Sequence, residues 1–402
     1  MTQQNLKNTV QQRDGRTHPL AVLRLGFRPF YLLAGCYAFI GIPAWTAMYL
    51  GWLPMPALFP PSWWHAHEMI FGYAAAVITG FLFTAVPNWS GRPTPTGIPL
   101  ALLALLWCAG RLVMNLNIVP VPVIVLLDSS FLFLVAAALI VPIIGARNYR
   151  NFGVLAVILA LALANLGLHL SYLGVIEYPA NMTLTLGLNA VILIMVIIGG
   201  RVIPFFTANV LQGIDIHRGT PADILAITSV VVLLAASAIP DMQFLVPELS
   251  ITAGILNAWR MRAWQFFRIA GKPILWILHC GYAWIVIGLL LAGLMEWIPA
   301  IPRSAAIHAI TVGAVGSLTL GMMTRTALGH SGQPLILARP IVWSYYLINF
   351  AALARILGTI VPAGIFKLTM VTTVLAWSLA FLIFVIVYWP ILTRPRVDGK
   401  PG

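Results

Sequence analysis

The sequence predicts an all-α polytopic membrane protein of about twelve transmembrane helices, and three observations carry that prediction. The first is composition. Of 402 residues, 60% are hydrophobic and only 8% charged, with mean hydropathy +0.94; an ordinary soluble domain carries about 25% charged residues. The second is length: apolar runs of about 18 or more residues recur along the chain, each enough to cross a hydrocarbon core of about 30 Å as a helix. The third is the placement of basic residues, which alternates from one connection to the next.

Spans are expected near 30–50, 63–87, 98–117, 120–144, 152–173, 181–203, 222–239, 243–259, 273–295, 303–323, 340–361 and 366–389. A basic tail over residues 1–29 (Lys7, Arg13, Arg16, Arg24, Arg28) precedes the first. It lacks the basic–apolar–small pattern of a cleaved signal, so span 1 is expected to insert uncleaved. Every second connection afterwards is basic: Arg92, then Arg147 with Arg150, Arg201 with Arg218, Arg260 through Lys272, and Arg325 with Arg339. The 391–402 tail carries Arg394, Arg396 and Lys400, which brings the basic segments to 19 of the 23 Lys and Arg. The other connections carry Glu177, Asp241 and Glu296. The positive-inside rule then expects an even number of spans and both termini in the cytoplasm. The net charge of +13 is read as topology and not as nucleic-acid binding.

Cys36, Cys108 and Cys280 fall within spans and form no C-x-x-C or C-x-x-C-H. That argues against covalent c-type haem and a cysteine metal cluster. They are read as small buried residues.

An internal repeat organises the single transmembrane domain, residues 30–390. Spans 2, 6 and 10 end in "TAVPNWSGRP" (84–93), "TANVLQG" (207–213) and "TALGHSGQP" (326–334). A shift of 241 residues carries His67 onto His308, Gly72 onto Gly313 and Gly80 onto Gly321; span 6 offers Gly199 and Gly200 but no histidine. Three four-span units, roughly 30–150, 151–272 and 273–390, are expected around a pseudo-threefold axis along the membrane normal.

With that topology, eight ionisable groups share one layer near the outer face: His65, His67, Glu68, Arg111, Asp128, His169, His308 and Arg355. Such groups cost about 2.5–3.5 kcal/mol each at the bilayer centre for Asp, Lys or Arg, and persist when they pair, line water or hold a ligand. A lone buried histidine is more often structural; four with two arginines argue for a cofactor. A b-type haem fits, because its iron takes imidazoles from facing helices and its propionates need cations. His67 and His308 are repeat-equivalent and suit an axial pair, with Arg111 and Arg355 as propionate partners. A salt bridge from Arg111 to Asp128 is the competing reading. His65 and His67 point to nearly opposite sides of a helix. The small, polar face through Glu68, Gly72, Ala76 and Thr79 favours His65, whereas the repeat favours His67. His67 is the expected iron ligand, with His65 a second-site ligand or hydrogen-bonded. His279, His217 and His330 are expected in solvated or capping roles, with an inner site as the alternative; His18 is expected to be exposed.

The motifs "LRLGFRPFYLLAG" (23–35), "WHAHEMIFGYAAAVITGFLFTAVPNWSGRP" (64–93) and "IIGGRVIPFFTANVLQG" (197–213) resemble the NnrS family of bacterial membrane proteins over the whole chain. The resemblance implies a haem- and copper-containing inner-membrane protein linked to nitric oxide response and denitrification. Nitric oxide, membrane lipid and an electron donor are the implied partners, and a haem-dependent oxidoreductase is one implied activity. The threefold plan also resembles the catalytic subunit of haem–copper oxidases and nitric oxide reductases, where histidines on spans 2 and 10 hold low-spin haem. Here spans 6 and 7 carry no histidine and span 10 carries one, so that family's copper site and high-spin haem ligand do not transfer. If copper binds, His169 with His65 is the expected set. The competing function is a secondary transporter with a polar intramembrane site. A membrane scaffold whose polar layer only pins helices together is a third reading.

Overall fold

The computed structural model describes residues 21–56, 58–147, 149–211 and 220–400. Every regular element among them is helical. Apart from short 3-10 turns they form α1 (Phe27–Tyr49), α2 (Pro61–Ser90), α3 (Ile98–Val113), α4 (Val121–Gly145), α5 (Phe152–Tyr172) and α6 (Ala180–Val210). The second half holds α7 (Pro221–Ser237), α8 (Val246–Arg262), α9 (Pro273–Leu294), α10 (Arg303–His330), α11 (Arg339–Leu357) and α12 (Ala363–Thr393). Among the described residues, nine are long and apolar enough to cross a membrane. Helices α3 and α7 are apolar but short, and α8 places Glu248, Arg260 and Arg262 within 17 residues.

Prolines open many of the rods, including Pro61, Pro221 and Pro273, where a missing N–H costs nothing and the fixed φ suits a first turn. Helix α7 adds a capping box: Thr220 Oγ1 accepts from the Asp223 amide, and Asp223 Oδ2 accepts from the Thr220 amide.

Neighbours in sequence pack side by side, and α12 closes against α1. At that closure Trp377 Nε1 donates to the Ala38 carbonyl at 3.0 Å and Arg28 Nη1 to that of Leu392 at 3.1 Å. Helices α2, α6 and α10 are the interior rods. Their apolar windows are 83%, 67% and 72% buried, against 33–61% for the other six spanning helices.

Two of these rods share an irregularity. Helix α2 runs as a π-helix over Glu68–Ala74, and α10 does so over Ala309–Val315, each beginning one residue after a histidine. The two segments are related by the same offset of 241 that relates His67 to His308. A π turn inserts a residue and re-aims the side chains around it, and such turns recur at functional sites.

Arg260, expected in a connection, is instead buried in α8. Its Nε donates to Asp223 Oδ1 at 2.6 Å and its Nη1 to the Val196 carbonyl and the Tyr282 hydroxyl. Tyr282 in turn donates to Asn257 Oδ1 at 2.5 Å. A buried guanidinium here is satisfied by α6, α7 and α9 and fastens the middle of the chain together. The cysteines are free and half-buried. His18 and His217 lie outside the described residues.

Candidate metal centre

The polar layer is assembled at the end of the bundle where α2 and α10 begin and α3, α5 and α11 finish. Its four histidines separate into two pairs.

His67 from α2 and His169 from α5 form the first, with ring centroids 5.4 Å apart and both side chains fully buried. Asp128, from the second turn of α4, lies between them: His67 Nε2 is 3.0 Å and His169 Nε2 2.8 Å from the same oxygen, Oδ2. Asn165, one turn before His169, completes the group. Its Oδ1 accepts from His67 Nε2 and its Nδ2 donates to Asp128 Oδ2, both at 3.0 Å. The other nitrogen of His67, Nδ1, is 2.9 Å from Glu68 Oε1. Both nitrogens of His67 therefore face acceptor oxygens, a geometry that calls for a cation or donor at each. His169 Nδ1 is buried with no partner.

Arg111 closes the cluster from α3. Nη1 donates to Glu68 Oε1 at 2.8 Å and Nη2 to Asp128 Oδ1, while the Tyr37 hydroxyl of α1 donates to Glu68 Oε2. Gly72 makes room for it: a Cβ there would sit 2.6 Å from Arg111 Nη1. The planar fork of Arg holds two carboxylates at once, as a lysine ammonium does not. The alternative weighed for Arg111, a salt bridge to Asp128, is thus present, and its guanidinium is taken up by carboxylates. Phe59 and Phe71 flank His67 and keep the cluster dry.

One ligand atom from each of His67, Asp128 and His169 can be chosen so that all lie within 4.8 Å of one another. Two imidazoles and a carboxylate suit a borderline divalent ion such as copper, zinc or iron(II). Glu68, Arg111 and Asn165 would orient the ligands from behind, the role outer hydrogen bonds play around metals.

His65 and His308 form the second pair. They sit close enough to interact electrostatically, and both feel Arg355 of α11. His65 stacks on Trp45 of α1 with centroids 4.2 Å apart, and its Nδ1 is buried without a partner. His308 donates from Nδ1 to the Ser304 carbonyl at 2.6 Å, one turn back on α10. That bond fixes the tautomer and leaves Nε2 as a free lone pair. Arg355 has no carboxylate within ion-pair distance among the described residues; its guanidinium lies 5.7 Å from the Phe366 ring centre.

The eight groups expected to share a layer therefore do gather at one end, but Asp128 joins His67 to His169 and leaves His65 and His308 outside that group, beside Arg355. Tyr37, Trp45, Asn165 and Ser304 were not expected at the site. Asn165 carried a signal, since it lies four residues before His169 and so on the same helix face. His279, expected in a solvated or capping role, is instead fully buried in α9, with Nδ1 facing the Leu275 carbonyl and Nε2 that of Trp264.

Fold and site together define a multi-pass helical membrane protein with a buried histidine–carboxylate centre. The chain belongs to the NnrS family: the family model described as NnrS protein matches residues 21–396. A comparison with curated proteins finds none that matches. Membership is consistent with a role in the response to nitric oxide, and the family's association with metal agrees with the buried His67–Asp128–His169 group.

Proposed function

We propose that this protein holds two centres in the outer part of a twelve-span bundle, a haem b between His65 and His308 and a second metal, copper, at His67, Asp128 and His169. Nitric oxide is the ligand that the pair of centres serves. The observation that carries the proposal is the separation of the four histidines into two differently equipped pairs.

The residues fit both groups. His308 offers Nε2 with its tautomer set by Ser304, His65 has an imidazole nitrogen without a partner, and Arg355 is a cation with no carboxylate at ion-pair distance among the described residues. A haem propionate would supply that carboxylate. His67, in contrast, is joined to His169 through Asp128, which is why His65 replaces it as the axial candidate. The pair of His67 and His169 offers two imidazoles around one carboxylate oxygen.

Haem, when bound, supplies a redox-active iron able to coordinate nitric oxide. The chain does the rest. Trp45 fixes the plane of His65 by stacking, Ser304 fixes that of His308, and Arg355 balances charge beside both. Arg111 and Glu68 hold Asp128 and His67 in place, while Phe59 and Phe71 exclude water. Nitric oxide dissolves in lipid, so a site within the bilayer needs no hydrophilic channel.

The same reading carries the topology: three four-helix units around an axis normal to a bacterial inner membrane, with both termini cytoplasmic. The matched π segments of α2 and α10 and the high burial of α2, α6 and α10 support it.

The test is a reduced-minus-oxidised visible spectrum of purified wild type, His65→Ala and His308→Ala. A b-type spectrum in wild type that is lost or shifted in both variants is expected. A colourless wild type from haem-sufficient cells would overturn the proposal and favour the transporter.

A further inference from the structure

At the end of the bundle opposite that polar layer, α2, α6 and α10, with the 3-10 turn Tyr149–Asn151 that precedes α5, line a half-open cavity of about 630 Å³. Its size lies within the range of small-molecule sites. Three arginines reach it, Arg150, Arg201 and Arg325, together with His330, and no Asp or Glu lines it among the described residues. A cluster of guanidinium groups with no carboxylate among its described neighbours, next to apolar helices, is costly unless an anion comes to it.

Two of the arginines are held ready. Arg201 donates from Nη1 to Asn151 Oδ1 at 2.6 Å and from Nη2 to the Arg150 carbonyl at 3.0 Å, which fixes its plane at the cavity wall. Arg325 is only 7% exposed, and its Nη1 is buried with no hydrogen-bond partner. Its guanidinium carbon lies 3.7 Å from the centre of the Phe206 ring, a cation–π contact that positions the fork without using its donors. A buried guanidinium donor left unmade costs free energy, and an oxyanion in the cavity is the partner that its charge and planar geometry suit. The remaining walls include Phe81, Trp89 and Met322, which provide apolar and aromatic surface.

We propose that this cavity binds an organic oxyanion, a phosphate or carboxylate attached to an apolar or aromatic body, with Arg325 and Arg201 on the oxyanion and the aromatic walls on the body. The site is independent of the metal centres. A dissolved metabolite and the headgroup of an anionic phospholipid both offer this chemistry, and they are separated by the test.

The probe is phenyl phosphate, titrated against the full-length protein in nanodiscs of neutral phosphatidylcholine while thermal unfolding is followed. A saturable rise in Tm is expected, absent with phenol, and the midpoint concentration should increase about tenfold or more in Arg325→Gln. Arg150→Gln, an exposed substitution at the rim, should weaken binding as well and covers the case in which the buried variant does not fold. No saturable rise in wild type, or one unchanged by both substitutions, would overturn the proposal. Repeating the titration in phosphatidylglycerol nanodiscs assigns the source: a response abolished there points to a lipid headgroup, and one preserved points to a soluble anion.

Discussion

His67 and His169 meet on one oxygen, Oδ2 of Asp128, reaching it from α2 and α5 at 3.0 and 2.8 Å. Neither residue is near the other in sequence, and both are fully buried. The other oxygen of Asp128 takes Arg111, so a single carboxylate ties α2, α3, α4 and α5 together. A membrane interior does not tolerate such a group by chance, and each of its partners has a defined job.

The Arg111 fork is the main charge balance for Glu68 and Asp128. Arg111→Met leaves two buried carboxylates without it and should cost about 3–5 kcal/mol of stability. Arg111→Lys should recover only part of this, because one ammonium does not span both carboxylates. Thermal unfolding of the detergent-solubilised variants checks the order wild type, then Lys, then Met.

Gly72 is required by the same arginine. Gly72→Ala drives a Cβ to 2.6 Å from Nη1 and 3.2 Å from Cδ. Overpacking of this kind costs about 1–3 kcal/mol. Because Arg111 orients both carboxylates, the variant should also lose bound metal. Gly254→Ala, which meets Leu290 at 2.9 Å away from the site, should cost stability but retain metal. Metal content by mass spectrometry, normalised to protein, separates the two.

The tail beyond α12 gives a pH prediction. Arg396 donates from Nε and Nη2 to the two oxygens of Asp398, at 2.9 and 2.5 Å, and from Nη1 to the His330 carbonyl at 2.9 Å. These bonds hold the Asp398 carboxyl at about 2, below its ordinary 3.8. A carboxyl depressed in this way contributes above its ordinary value and loses that contribution as pH falls through the folded one. The attachment of the tail should therefore be constant from about pH 8 to about pH 5 and weaken between about pH 4 and pH 2. Hydrogen exchange over residues 394–399, corrected for intrinsic rate, measures this. Asp398→Asn should raise exchange from about pH 8 to about pH 5 and converge on the wild type as pH approaches 2.

Much of this was legible in the sequence because membrane burial writes itself plainly. Apolar runs marked the spanning helices, and the depth of each polar residue within its run put the eight groups in one layer. Only α3, α7 and α8 fall short of the length and hydropathy expected of spans. Which histidine meets which was harder. His65 and His67 are two residues apart and so face opposite ways on α2, and each serves a different neighbour. The repeat relation drew attention to His67 and His308, yet the repeat fixes equivalent positions and not contacts. The π turn that starts at Glu68 follows from no local signal in the residues. Asn165 was missed because an amide in an apolar helix reads as incidental until Asp128 is opposite it.

The central claim is that the two histidine pairs serve two separate centres. It is tested most directly by measuring haem by visible spectroscopy and copper by mass spectrometry on one preparation of His67→Ala beside wild type. The b-type spectrum should remain while copper is lost. Loss of the haem spectrum with copper retained would contradict it.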